Sequence, residues 1–238
     1  MGIVDELFAD LPQIHVFTED GQGAAPAGLW HTDRDCYEFI ASRCTTPGTR
    51  TLETGVGMST VLFALLGTDH TCVAPFPAEV QACVGYLDAH NISHDGLTLH
   101  VGWSEDVLPT LDATPLDLVL IDGGHAFPFP VIDWHYASAR LRKGGIVVVD
   151  DRQLPAVSEG LLQFIDRDPY WRRIAATPKW CAYERVTERP MREGWDAQHE
   201  RGMFAFPGPS LSTRAQDLAR RVLPPLAKRL VRRLTLRR

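Results

Sequence analysis

The chain has 238 residues, 45% of them apolar and 23% charged, with a formal net charge of −6. That length suits one sizeable core with an appendage, and the composition excludes fibrous and low-complexity classes. The charge is uneven: residues 214–238 carry nine basic residues and one acid, +8, which leaves −14 on the remainder, so the body lacks the basic stripe of a nucleic-acid binder and no nucleic acid is expected as a partner.

The opening stretch MGIVDELFADLP has acids where a secretion signal needs bases. The longest apolar runs, such as residues 61–66, fall far short of the roughly 20 residues of a membrane span. Five cysteines (Cys36, Cys44, Cys72, Cys83, Cys181) are scattered without the short paired spacings of a zinc site, and they read as reduced thiols in a cytoplasmic protein.

In chain order, a short helix is expected at residues 4–9, a Gly- and Ala-rich loop at 19–28 and a helix at 33–44. Strands follow at 50–53, 71–74, 97–101, 116–121 and 146–149, alternating with helices near 59–66, 79–90, 105–111 and 130–141. Gly67 and Gly144 read as helix stops. Short apolar strands alternating with helices predict an α/β fold, a doubly wound, mostly parallel sheet. Beyond Asp151 the pattern becomes a helix at 155–166 and two strand-like runs, 170–175 and 179–186, which predict a closing antiparallel hairpin. Residues 187–210 read as an extended connection. Leu218, Val222, Leu226, Leu230 and Leu234 then recur every four residues in a basic helical extension divided by Pro224 and Pro225. The expected organisation is a cap segment at 1–45, a ligand-binding core at 46–187 and the extension at 188–238. The extension suits docking or a homo-oligomer contact, with peripheral membrane contact as a weaker alternative.

The richest motif is RTLETGVGMST, residues 50–60, which joins a strand to a glycine turn and a helix. Gly55 and Gly57 suit a nucleotide-cradling turn, but Thr60 stands where a dinucleotide fingerprint wants a third small residue, which disfavours NAD. Glu53 at the strand end would repel a pyrophosphate and attract a ligand carrying an ammonium and a sulfonium, such as S-adenosylmethionine. The alternative is a tight turn whose glycines serve backbone geometry alone. Ligands of open parallel sheets bind outside the carboxyl ends of the strands, and here Glu53, Asp122, Asp150 and Asp151 all fall there. Such carboxylates repel one another unless a cation or proton intervenes, and oxygen-only donors favour magnesium, calcium or manganese. Asp150 and Asp151 could instead cap the next helix. His125, three residues after Asp122 in IDGGH, is the first choice for a general base, with a structural loop histidine as the alternative. His135, beside Trp134 and Tyr136, reads as structural; His31 and His199 have weaker cases as bases.

ETGVGMST, LDLVLIDGGH and LRKGGIVVVDD, in this order, resemble the successive motifs of class I S-adenosylmethionine-dependent methyltransferases. The likeness spans roughly residues 30–186 and is greatest to the bacterial small-molecule branch with metal-dependent sugar and natural-product O-methyltransferases. The resemblance implies a cofactor site at Glu53, Gly55, Gly57 and Ser59 for the methionine part, with Gly102, Trp103 and Ser104 against the adenine. It implies Mg2+ held by Asp122, Asp150 and Asp151 beside the hydroxyl of a small-molecule acceptor. The sequence departs from the family at CVAPFPAE, where Ala74 and Pro75 stand in place of the acid that takes the ribose hydroxyls; Glu79 is the candidate substitute. That departure keeps a second reading open, a non-catalytic cofactor-binding or scaffold protein with the methyltransferase fold.

Overall fold

The structure, a computed structural model, describes residues 2–16, 30–189 and 202. These belong to the first of two compact units, Met1–Met203; the expected extended connection beyond residue 189, the basic helices, and the loop at 19–28 lie outside the described residues.

Seven strands form one sheet: β1 (Arg50–Thr54), β2 (Asp69–Ala74), β3 (Leu97–Val101), β4 (Leu116–Ile121), β5 (Leu141–Val149), β6 (Trp171–Ala176) and β7 (Cys181–Arg185), in the order β3-β2-β1-β4-β5-β7-β6. The first five pair in parallel, while β7 slots between β5 and β6 and is antiparallel to both. The expected closing hairpin is therefore present, and its turn returns the chain to the carboxyl edge, because Cys181 at the start of β7 pairs with Val149 at the end of β5.

The helices are α1 (Ile3–Ala9), α2 (Arg34–Arg43), α3 (Met58–Leu65), α4 (Pro77–Ala89), α5 (Ser104–Val107), α6 (Phe129–Ser138), α7 (Pro155–Val157) and α8 (Gln163–Ile165). A 3₁₀ turn at Leu108–Thr110 continues α5, and a π turn at Ser158–Leu162 joins α7 to α8. Central strand β4 and the end of β5 are buried and apolar on both faces, as burial between two helical layers requires. On β4, Leu118 and Leu120 face the layer that contains Tyr37, Ile40, Val61 and Leu62, while Val119 and Ile121 face the layer that contains Ala137, Leu161 and Ile165. Burial pushes the thiols of Cys44 and Cys83 up to about 12, and all five cysteines are free and buried.

Gly67 ends α3 as expected: at φ +63 it lets its own N–H bond Ala64 and the Thr68 N–H bond Phe63, closing the helix with a Schellman pair. Gly144 does otherwise. Helix α6 stops at Ser138, and Gly144, at φ +79, lies inside β5, where Leu116 pairs with Leu141 and Leu118 with Ile146. The glycine pair forms a bulge rather than a helix stop, so β5 starts five residues before the expected strand.

The segment after α1 is fastened to α4. The Tyr86 hydroxyl donates to the Asp10 carbonyl at 2.7 Å, and His90 Nε2 lies 2.8 Å from Asp10 Oδ2.

Candidate functional site

Register sets the site. Thr54 pairs with Val73 and Ile121, and Ile121 with Val149, so Gly55, Asp122 and Asp150 leave the carboxyl edge at one level. Gly55 has φ +91, and a Cβ there would stand 2.4 Å from the Asp122 carbonyl oxygen, so the turn requires glycine. The Gly57 N–H donates to Thr60 Oγ1 at 3.0 Å, and the Thr60 hydroxyl donates to Glu53 Oε1. Thr60, unhelpful to a dinucleotide, here ties the start of α3 to the strand-end acid.

Glu53 is fully buried beneath the turn rather than lining the cleft. His70 Nε2 lies 3.1 Å from Glu53 Oε1; its Nδ1 is 2.7 Å from Thr51 Oγ1, and its ring stacks on Phe63 with centroids 4.2 Å apart. Glu53 Oε2 is buried with no hydrogen-bond partner among the described residues. An orphaned carboxylate oxygen under a glycine turn fits a cationic ligand above it, which is the test S-adenosylmethionine has to pass here. Ser59 sits in the first turn of α3 and is buried.

Along the edge, Trp103 is 43% exposed, stacks on Phe129 at 5.9 Å and meets Phe76 edge-on at 6.0 Å. These rings, contributed by the segments after β3, β4 and β2, form an apolar wall suited to a planar base, with Ser104 opening α5 beside it. Ala74 is buried at the end of β2 and offers no polar group for a ribose. Glu79 is already engaged: its Oε1 accepts from the Val16 N–H at 3.2 Å and lies 3.3 Å from His15 Nδ1. His15 also reaches the turn, since a Cβ on Gly57 would stand 3.3 Å from His15 Nε2.

The acidic end is arranged differently from the three-aspartate metal set that the resemblance implies. Asp150 is buried; its Oδ1 accepts from the Thr32 hydroxyl at 2.8 Å, and its Oδ2 lies 3.2 Å from Lys179 Nζ. Asp151 Oδ1 accepts from Lys179 Nζ and from Gln153 Nε2, both at 2.7 Å, and its Oδ2 lies 3.0 Å from His125 Nε2. Asp151 has φ +50, a left-handed conformation that aspartate tolerates better than most residues. Asp122, His125 and Asp151 bring one ligand atom each within 4.8 Å of one another; Asp150 is outside that group. The fit to Mg2+ is poor, because an ammonium already bridges the two adjacent aspartates and one of the three grouped donors is an imidazole nitrogen rather than an oxygen.

Charge crowding shows in the acids. Burial, then repulsion from Asp150, Asp151 and Glu53, pushes the Asp122 carboxyl well above the usual range. Burial also works to raise Asp151, but Lys179, His125 and Gln153 outweigh it and hold that carboxyl low. Asp150 and Asp151 outweigh burial at Lys179 and raise its ammonium.

Sequence reasoning missed Lys179, Thr32, His70 and Asp133. Asp133 on α6 is buried beside Gly123, where a Cβ would stand 3.2 Å from its Oδ2, and burial pushes its carboxyl up. A carboxylate inside FPVIDWHY, a run otherwise of apolar and aromatic residues, was the available signal for Asp133.

Residues 52–152 match a family described as methyltransferase domain. The matched stretch runs from within β1 to just past the acid pair, residues 52–152 of the 238. The chain's fold is shared by solved methyltransferase structures. It resembles the O-methyltransferase TomG from Streptomyces achromogenes, described as involved in tomaymycin synthesis and solved with SAM, at 18% identity over 68% of this chain and 84% of that one, TM-score 0.58. The O-methyltransferase NovP gives 16% identity over 78% of this chain and 95% of that one, TM-score 0.59. Cofactor-bound Rv0187 from MTB gives 19% over 76% and 85%, TM-score 0.56. No curated protein matches the sequence. Among the described residues no helix is long and apolar enough to cross a membrane.

Proposed function

We propose that this methyltransferase domain transfers a methyl group from S-adenosylmethionine to the hydroxyl of a small acceptor, a sugar or a secondary metabolite. The observation that carries the reading is the His125–Asp151 pair at 3.0 Å, held at the carboxyl edge on a loop whose glycines let it approach a ligand. The cofactor supplies an electrophilic methyl on a sulfonium. Glu53 and the glycine turn favour its cationic methionine end, and Trp103, Phe76 and Phe129 favour its base. His125 exposes its ring to the cleft. With Nε2–H directed at Asp151, its Nδ1 is left to take the proton from the acceptor hydroxyl. Asp122, grouped with His125 and Asp151 and with its carbonyl packed against Gly55, would orient the acceptor. Metal assistance by Asp122, Asp150 and Asp151 has no step in this reading, because the donor set fits a metal poorly.

The test is calorimetric titration with S-adenosylmethionine and S-adenosylhomocysteine, followed by methyl transfer from labelled cofactor to a panel of hydroxylated sugars and aglycones. Absence of binding by both cofactor forms removes the reading. A specific observation favours a second one, a scaffold that binds cofactor without turnover: Ala74 offers no acid, and Glu79 is committed to the amino-terminal segment. Cofactor binding with no transfer to any acceptor in the panel would select it.

A further inference from the structure

The turn between β6 and β7 is fixed at many points. The Thr177 N–H donates to the Trp180 carbonyl at 2.8 Å, and Thr177 Oγ1 accepts from the N–H groups of Lys179 and Trp180 at 3.2 and 3.1 Å. Trp180 Nε1 donates to Asp35 Oδ1 on α2 at 2.7 Å. Arg152, directly after the acid pair, donates its N–H to the Lys179 carbonyl at 2.8 Å and its Nη1 to the Thr177 carbonyl at 2.6 Å. The backbone of Lys179 is thus tied to the residue that follows Asp151.

From this mount the ammonium reaches both acids, at 2.7 Å from Asp151 Oδ1 and 3.2 Å from Asp150 Oδ2. The remaining oxygens are also faced by donors: Asp150 Oδ1 by Thr32 and Asp151 Oδ2 by His125. Asp150 Oδ2 lies within ion-pair distance of the ammonium but has no hydrogen-bond partner among the described residues, so a divalent ion bridging the two aspartates would compete with Lys179 for it. A lysine ammonium is a compact charge with three donors, suited to bridging two carboxylates.

We propose that Lys179 is the resident cation of this edge: it stands where a divalent metal would bridge Asp150 and Asp151, and it holds Asp151 toward His125. Lys179 is then a positioning residue whose fixed charge does part of what a bridging metal would do at this edge. Its role in transfer rests on the O-methyl transfer reading, but its occupancy of the site does not.

The experiment is calorimetric titration of Mg2+ and of Mn2+ alone into the full chain as wild type, Lys179→Met and Lys179→Arg, with S-adenosylhomocysteine binding measured separately on each. Wild type and Lys179→Arg should show no saturable metal binding tighter than about 1 mM. Lys179→Met, which leaves the carboxylates uncompensated, should gain affinity for Mn2+ on the order of tenfold or more. A merely structural lysine would give no such gain. Saturable binding of either ion to wild type below about 1 mM overturns the proposal; so does a folded Lys179→Met variant without the gain. Should that variant not fold, the wild-type titration alone decides. Failure of wild type to bind S-adenosylhomocysteine counts against the transfer reading instead, and leaves the metal titration to judge Lys179 by itself.

Discussion

The two halves of the carboxyl edge handle strand-end acids in opposite ways. At the glycine turn, Glu53 is fully buried, and its partners are a hydroxyl seven residues along the chain and an imidazole on the neighbouring strand. At the other half, Asp151 is partly exposed and its partners reach it from a distant turn and a loop, Lys179 and His125. The first arrangement stabilises a backbone turn and presents only a field to the cleft. The second leaves a titratable ring facing solvent beside a fixed charge. An acid at a strand end is therefore scaffold or chemistry according to whether its partners seal it off or leave it open.

The comparison breaks most visibly at Glu53. Glu53→Leu removes the acceptor of the Thr60 hydroxyl and the acid beside the His70 ring, and urea unfolding should show a loss of about 1–3 kcal/mol, the cost of a buried donor left without a partner. His125→Ala should leave unfolding nearly unchanged and lower turnover about 100-fold in single-turnover transfer, the lower range of acid–base help. A near wild-type rate would reduce the histidine to a loop residue. Gly55→Ala places a Cβ against the Asp122 carbonyl at a left-handed φ and should cost about 1–3 kcal/mol of stability, with weakened cofactor binding.

Asp122 sharpens the contrast through pH. Its carboxyl is raised in the folded chain, so the fold favours the protonated form. That preference is fully present below the ordinary carboxylate range and is lost as pH rises through the folded value. Asp122→Asn should therefore be more stable than wild type near neutral pH by about 1 kcal/mol, and the gain should vanish in thermal scans near pH 4. Thr32→Val, which removes one hydroxyl from Asp150, should have the smallest effect, about 1 kcal/mol or less in urea.

What could be read from the sequence follows the same division. The strands at 97–101 and 116–121 fall where their short apolar runs place them, and the helix from Met58 starts within a residue of expectation, because these signals are local. The alignment of Asp122 and Asp150 at one edge follows from the parallel order. Lys179 was not legible. It is one of 24 basic residues, and nothing in TPKW marks it until β7 inserts beside β5 and brings the turn to the edge. Gly144 misled for a related reason: a glycine after a helical pattern can stop a helix or bulge a strand, and only pairing with β4 decides. Glu53 was placed at the right strand end, but its burial depends on His70, whose partner lies on another strand.

The attachment of the amino-terminal segment to α4 bears on how far this domain is portable. Residues 52–152 carry the recognisable motifs, yet Asp10 and Val16 hold α4 from outside that stretch, and β7 covers β5 from beyond it. A chain trimmed to the recognisable stretch would expose the β5 edge, a template for pairing with other copies, and would lose the turn that carries Lys179. The smallest transplantable unit is therefore wider than the recognisable one on both sides.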